Sequence, residues 1–300
     1  MSSLLSSYFD SIATLSDNTI KQRKSCLDRW IRFLLSRDKE LLEAKKFDLS
    51  AFAREALDAE VADSAVKGYL LRIKYFYQFA FEEEVFPGKE YKRIALFANS
   101  FRVDKGKIIT PLSQDHLEIL KQEIAYHRTL QISTFMLLNF GLRLSELIKL
   151  NVRDINFQDK ELLVRRSKYK RSRVIPFNRK IQQVILLWLD TRDNYLPTGS
   201  SDDAFLILKY TSSRSSKQWL QQEFWKINQK HKDLDLHVTA QRLRHHFACR
   251  LYYELGYEIY DVSWVLGHES IKTTMVYLGI DEQMRKESYL QMLLLRSNTR

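Results

Sequence analysis

The sequence predicts a mainly α-helical chain of two domains with one small β-hairpin, an α+β class weighted to helix. Three observations carry this. Only 4 prolines and 8 glycines occur in 300 residues, which argues against an all-β fold and against long disordered linkers. Apolar residues recur at helical spacing in most segments. One short section, Lys160 to Phe177, instead carries Val164, Val174 and Ile175 on either side of a basic turn, the pattern of a hairpin.

The elements follow in order. Ser16, Asp17 and Asn18 offer N-caps for a helix running to about Leu35, with Ile20, Leu27, Ile31 and Leu34 on its apolar stripe. A second helix is expected from about Leu49 to Ala59. Asp63 and Ser64 cap a third, whose buried side holds Val66, Leu70, Ile73, Phe76, Tyr77 and Ala80. Pro87-Gly88 breaks the pattern, and a short helix follows around Tyr91–Phe97. Residues 1–100 therefore read as an all-helical domain. Residues 101–110, with Arg102, Lys105 and Lys107, have little periodicity and read as a basic linker. The second domain, 111–300, opens at Pro111-Leu112-Ser113. It is expected to hold helices near 113–126, 128–139, 179–192, 214–230, 240–254, 257–265, 269–277 and 281–295 around the hairpin.

Composition narrows the partners. A net charge of +11 and a pI near 9.4 suit a polyanionic partner, most simply nucleic acid, and equally a basic surface kept for solubility. The charge is uneven: residues 1–105 carry 18 basic and 16 acidic side chains, the rest 30 and 21. The second domain is the stronger candidate for gripping phosphate. Two cysteines, Cys26 and Cys249, exclude a disulfide scaffold and a multi-cysteine zinc site. Zinc on His237, His245, His246 and His268 has no fitting ligand spacing. The start, Met1 to Ser7, lacks a basic region and a long apolar core, so no signal peptide is expected. The longest apolar run, Val184 to Leu189, is too short to span a membrane. A cytoplasmic location, on DNA, is the expectation.

The chemistry-bearing residues lie in the second domain. Gly141-Leu142-Arg143-Leu144-Ser145-Glu146-Leu147 and Leu243-Arg244-His245-His246 each supply an arginine. Attack on a phosphodiester builds negative charge on the non-bridging oxygens, and a guanidinium fork matches two of them. Pairing to a carboxylate is the plain alternative, and Glu146 stands three residues from Arg143; Glu146 could also serve by aiming Arg143. The window Leu266-Gly267-His268-Glu269-Ser270-Ile271-Lys272-Thr273-Thr274-Met275-Val276-Tyr277 supplies a histidine and a tyrosine. Tyr277 is the candidate nucleophile, and its phenol, with an ordinary pKa near ~10, needs cations or a base to attack. His268 suits a donor to a phosphate oxygen or a proton carrier. Arg165-Arg166-Ser167-Lys168-Tyr169-Lys170-Arg171-Ser172-Arg173 forms the basic turn. Its cations suit phosphate contacts, and a lysine there could protonate a leaving oxygen.

This set, in this order, resembles the tyrosine recombinases, the phage-integrase family. The resemblance covers Pro111 to Tyr277 and, more loosely, the first domain through Ser16–Ile20 and Tyr69–Phe81. The length is similar to Xer-like recombinases. The resemblance implies a helical core-binding domain followed by a catalytic domain. It implies Tyr277 as nucleophile, Arg143, Arg244 and His268 on the phosphate, and Lys168, rather than Lys170, as general acid. Lys105, Lys107, Arg165, Arg166, Lys170, Arg171 and Arg173 become expected DNA contacts. His245 is expected to be structural. The implied partner is double-stranded DNA with a short specific site, bound by two protomers, with four assembling on two sites. A terminal helix containing Tyr289, Leu290 and Leu293–Leu295 would contact a neighbouring protomer. Neither metal nor nucleotide cofactor is implied, because the ester to tyrosine keeps the bond energy.

One position departs from the family pattern. The His-x-x-Arg box reads Gln241-Arg242-Leu243-Arg244. Glutamine can donate to a phosphate oxygen and cannot carry a proton near neutrality. Two rival functions therefore stand beside recombination: a DNA-binding protein that has lost cleavage, and a type IB topoisomerase-like relaxing enzyme.

Overall fold

The computed structural model describes residues 2–103, 110–165, 172–200 and 202–280. The expected residues Lys105, Lys107, Arg166, Lys168, Lys170 and Arg171, and the helix expected at 281–295, lie outside that set. The chain divides into two compact units, Met1–Lys107 and Ile108–Arg300.

The first unit is helical: α1 (Ser2–Ser11), α2 (Asp17–Leu35), α3 (Lys46–Asp58), α4 (Asp63–Glu82) and α5 (Gly88–Ser100). Ser16 caps α2 by accepting from the Thr19 backbone N–H. The stripe expected on α4, from Val66 to Ala80, is buried throughout. Trp30 of α2 packs into the same core and donates to the Tyr77 hydroxyl at 2.9 Å, which donates in turn to the Leu41 carbonyl at 2.7 Å. Both polar tips are satisfied inside an apolar core. Helix α1 is additional to the expected set. Tyr8 anchors it, buried edge-on against Phe76 with ring centroids 5.4 Å apart. Serines interrupt its short stripe, so tertiary packing, not periodicity, makes it a helix.

The second unit runs α6 (Gln114–Ile124), α7 (Arg128–Phe140), α8 (Leu144–Lys149), β1 (Ile155–Asn156), β2 (Glu161–Val164), β3 (Arg173–Pro176), α9 (Arg179–Asp193), β4 (Ile207–Leu208), β5 (Ser213–Arg214), α10 (Lys217–Lys230), α11 (Ala240–Cys249), α12 (Ile259–Leu266) and α13 (Ile271–Tyr277). The hairpin is real, with Leu162 opposite Ile175 and Val164 opposite Arg173, but β1 extends it to three antiparallel strands. The helix expected from 214 starts at Lys217 instead. Arg214 is paired with Ile207 in a two-residue ladder, and Ser216 supplies the cap by accepting from the Trp219 N–H. The helix expected to reach 254 changes at Cys249 into a π-helical turn, Arg250–Glu254, which loosens the winding just after the site residues. The core of this unit wraps α7, whose Ile132, Met136, Leu137 and Phe140 are all buried. Among the described residues, no helix is long and apolar enough to cross a membrane.

Candidate active site

Two glycines in left-handed conformation organise the site. Gly141 ends α7 with φ of 56°, and a Cβ there would lie 2.4 Å from the Phe247 ring. Only glycine meets both demands. Gly267 ends α12 in the same way, with φ of 64°. These helix ends expose carbonyls that helical bonding leaves over, at the negative pole of the dipole.

Three guanidinium groups collect on them. Arg244, buried on α11, donates from Nη1 to the Gly141 carbonyl at 2.5 Å and from Nη2 to the Leu266 carbonyl at 2.7 Å. Arg143, at the N-cap of α8, donates from Nη2 to the Gly267 carbonyl at 3.1 Å. Arg173 donates from Nε to the Val265 carbonyl at 2.7 Å. The last turn of α12 thus takes one arginine per carbonyl, at residues 265, 266 and 267.

Glu146 is the common counter-charge. Its carboxylate accepts from the Arg143 backbone N–H and from Arg143 Nη1, both at 2.9 Å. It also accepts both Nη groups of Arg173, at 3.0 and 2.9 Å, and lies 3.8 Å from Arg244 Nη1. Burial alone would raise its pKa. The Arg173 hydrogen bonds and charge, with the bonds from Arg143, outweigh burial and hold the carboxyl at about 2. Burial, with the Arg143 charge second, brings Arg244 down to about 10, so it remains cationic at neutral pH.

The sign of the linkage is fixed by Glu146. Its folded pKa is below the ordinary 4.5, so its stabilising contribution is present above that value and is lost as pH falls toward about 2. In urea titrations, Glu146→Gln should lower stability at pH 7 and flatten the acid slope in that window. An unchanged slope would remove Glu146 from the charge network.

Arg173 requires a correction. It was expected among the DNA contacts of the basic turn, but it is only 6% exposed and is spent on Glu146 and Val265. Strand alternation turns the Arg173 side chain inward at the start of β3, where the burial pattern reads in, out, in, out. Arg165 stays exposed, with its Nε 2.5 Å from the buried Asp154 carboxylate.

Tyr277 is the last residue of α13. Its hydroxyl donates to the Gln241 backbone carbonyl at 3.3 Å. Burial raises the phenol above its ordinary range, and the Arg244 charge and hydrogen bond pull it back. His245 and His268 bracket the ring, both edge-on, with centroids 5.0 and 5.5 Å away. His245 is buried, with the Cys249 thiol 3.4 Å from its Nε2. His268 places Nε2 3.3 Å from Arg244 Nη2 and Nδ1 2.8 Å from the Thr274 hydroxyl.

Arg143, Gln241, Arg244, His268 and Tyr277 line one cleft of about 840 Å³, together with Gln221, Trp225 and His237. Gln241 reaches it from the exposed first turn of α11, which Thr239 caps by accepting from the Arg242 N–H. Thr274, Trp225 and the inward role of Arg173 are absent from the expectations drawn from the sequence. Thr274 could have been found from its place one turn before Tyr277. Nothing local marks Trp225, which is 59% exposed on α10.

Known proteins resemble this chain over most of its length. The model of the phage integrase family matches residues 112–284, and that of the phage integrase N-terminal SAM-like domain matches residues 5–84. Tyrosine recombinase XerD of Oceanobacillus iheyensis is 26% identical over 92% of each chain. Tyrosine recombinase XerC of Proteus mirabilis is 35% identical over 50% of this chain and 47% of its own. Among solved structures, the Tn1549 transposon integrase in complex with transposon right end DNA superposes with a TM-score of 0.73 at 19% identity, covering 97% of this chain and 99% of that one. A lambda integrase dimer bound to a COC′ core site gives 0.71 at 17% identity, covering 93% and 95%. A lambda integrase tetramer bound to a Holliday junction also gives 0.71, at 19% identity over 92% and 76%. The structural likenesses show the fold, and the match over residues 112–284 shows the family: the chain is a tyrosine recombinase of the phage integrase family.

Proposed function

We propose that the protein is a site-specific DNA recombinase, active in mobile-element integration and excision or in dimer resolution. The observation that carries this is the cleft that gathers Arg143, Arg244 and His268 around the Tyr277 hydroxyl. Tyr277 Oη attacks the scissile phosphorus and the bond to the 5′ oxygen breaks, leaving a 3′-phosphotyrosine. The 5′ hydroxyl of a partner duplex then attacks that ester and frees the tyrosine. Arg143 and Arg244, held rigid by α12 and Glu146, meet charge that grows on the phosphate without reorganising. Lys168, outside the described residues, is assigned the proton for the leaving oxygen. The chemistry asks for neither metal nor nucleotide.

The basic excess of the second unit supports DNA as substrate. In the first unit, Lys21, Arg29 and Arg72 of α2 and α4 surround one shallow groove, which suits a phosphate backbone. Dimers on one site and tetramers on two are assigned by the family pattern and by the apolar surface of Tyr257, Tyr260, Trp264 and Val276, all about half exposed or more. The location assigned is the cytoplasm, on DNA.

The test begins with a site recovered from random duplexes by binding selection. A nicked duplex of that site should trap a covalent protein–DNA adduct, and two intact duplexes should exchange strands. Binding without an adduct would favour a protein that has lost cleavage. An adduct with supercoil relaxation and no joined duplexes would favour a relaxing enzyme.

Gln241 separates these outcomes further. Its side chain donates to phosphate and holds no proton, so Gln241→Ala should slow single-turnover cleavage about fivefold, the order expected for one hydrogen bond. Gln241→His should keep activity and gain a pH dependence near ~6.5. Cleavage by Gln241→Ala at the parental rate would place the side chain outside the reaction. Cleavage only after Gln241→His would make the parent a binder.

A further inference from the structure

Thr274 is buried at 0% exposure, one turn before Tyr277 on α13. Its hydroxyl oxygen is 2.8 Å from His268 Nδ1, while His268 Nε2 is 3.3 Å from Arg244 Nη2. A guanidinium only donates. With Arg244 on it, Nε2 must offer a lone pair, so the proton of the neutral ring sits on Nδ1 and is donated to Thr274 Oγ1. A phosphodiester oxygen in the cleft reverses the demand, because it only accepts. Nε2 must then carry the proton, and Nδ1 needs a donor. The Thr274 O–H supplies one by turning about its C–O bond, and no heavy atom moves.

We propose that Thr274 is a positioning residue that lets His268 exchange tautomers when a phosphodiester enters the cleft. The inference rests on the phosphate placement in the proposed function. One proton leaves Nδ1 and one arrives at Nε2 through solvent, so the ring gains no charge. A carboxylate in place of Thr274 would accept in both states and favour the imidazolium. A hydroxyl accepts or donates equally well, which suits a group that must change its own role. The pairing also fixes the ring plane, since Thr274 and Tyr277 ride on one helix.

The test reads tautomers directly. The full chain is labelled with 15N-histidine, and long-range nitrogen–proton correlations are recorded well above the histidine titration range, with His268 assigned by His268→Gln. Without DNA, the parent should show Nδ1 protonated and Nε2 bare. Thr274→Ser should match it. Thr274→Val, which keeps the shape and removes the hydroxyl, should shift the ring toward the Nε2–H form. Adding the selected duplex should move the proton to Nε2 in the parent. In single-turnover cleavage at saturating DNA, Thr274→Val should be about fivefold to tenfold slower with unchanged binding, and Thr274→Ser should recover the rate. The proposal fails if the DNA-free parent already carries its proton on Nε2, or if Thr274→Val keeps both the parental tautomer and the parental rate. A parent that forms no covalent adduct defeats the functional reading instead, and the DNA-free spectra still decide whether Thr274 holds Nδ1.

Discussion

Tyr277→Phe is expected to abolish the covalent protein–DNA adduct while leaving site binding within about twofold. The substitution removes one oxygen. In the resting site that oxygen donates to the Gln241 carbonyl at 3.3 Å and accepts from Arg244, and Arg244 keeps its bonds to the Gly141 and Leu266 carbonyls when the oxygen is gone. The ring contacts with His245 and His268 survive in phenylalanine, and so does the packing of α13 on α11 and α12. Under the proposed function, binding rests on basic side chains throughout the chain, and the change removes no charge. The measurement is a denaturing gel of a nicked duplex after incubation, beside a binding titration of the same duplex. An adduct that persists would move the nucleophile to another tyrosine. Tyr253 is a poor substitute, because its hydroxyl is spent on the Leu278 carbonyl at 3.0 Å.

How much of this was legible depends on the distance over which each feature is determined. The α4 stripe and the Ser16 cap are local, and the sequence shows them directly. The residues of the cleft were legible as a set through their order and spacing, which resemble the tyrosine-recombinase motifs; any one of them alone reads as an ordinary structural side chain. Their supports were less so. The fate of Arg173 turned on strand alternation: in the basic run it looks like one more phosphate contact, yet it opens β3 on the inward face. The arginine-holding carbonyls of Val265, Leu266 and Gly267 are backbone groups, and only the glycine marks them in the sequence. Helix α1 and the strand pair Ile207–Leu208 with Ser213–Arg214 are too short to generate a period. They exist because neighbouring segments pack on them.

Arg244→Ala should slow cleavage at saturating DNA by roughly two to three orders of magnitude, about 3–4 kcal/mol, with a much smaller effect on binding. The guanidinium is already oriented before substrate arrives: the Gly141 and Leu266 carbonyls fix two edges of its plane, and His268 Nε2 lies 3.3 Å from Nη2. A donor held in this way costs no reorganisation as charge grows on the phosphate, so its loss falls on the transition state more than on the bound substrate. Arg244→Lys should rescue little, because one ammonium cannot hold two carbonyls and a phosphate in a plane. Arg143→Ala should fall in the same range, with part of its loss arising through Glu146, whose carboxylate would keep Arg173 as its bidentate partner. Because Arg244 is buried, its removal also leaves two carbonyls without their donor, so thermal melting must accompany the kinetics to separate unfolding from catalysis. A folded Arg244→Ala that binds more weakly but cleaves at the parental rate when saturated would make Arg244 a binding residue and take the phosphate out of the cleft between α11 and α13.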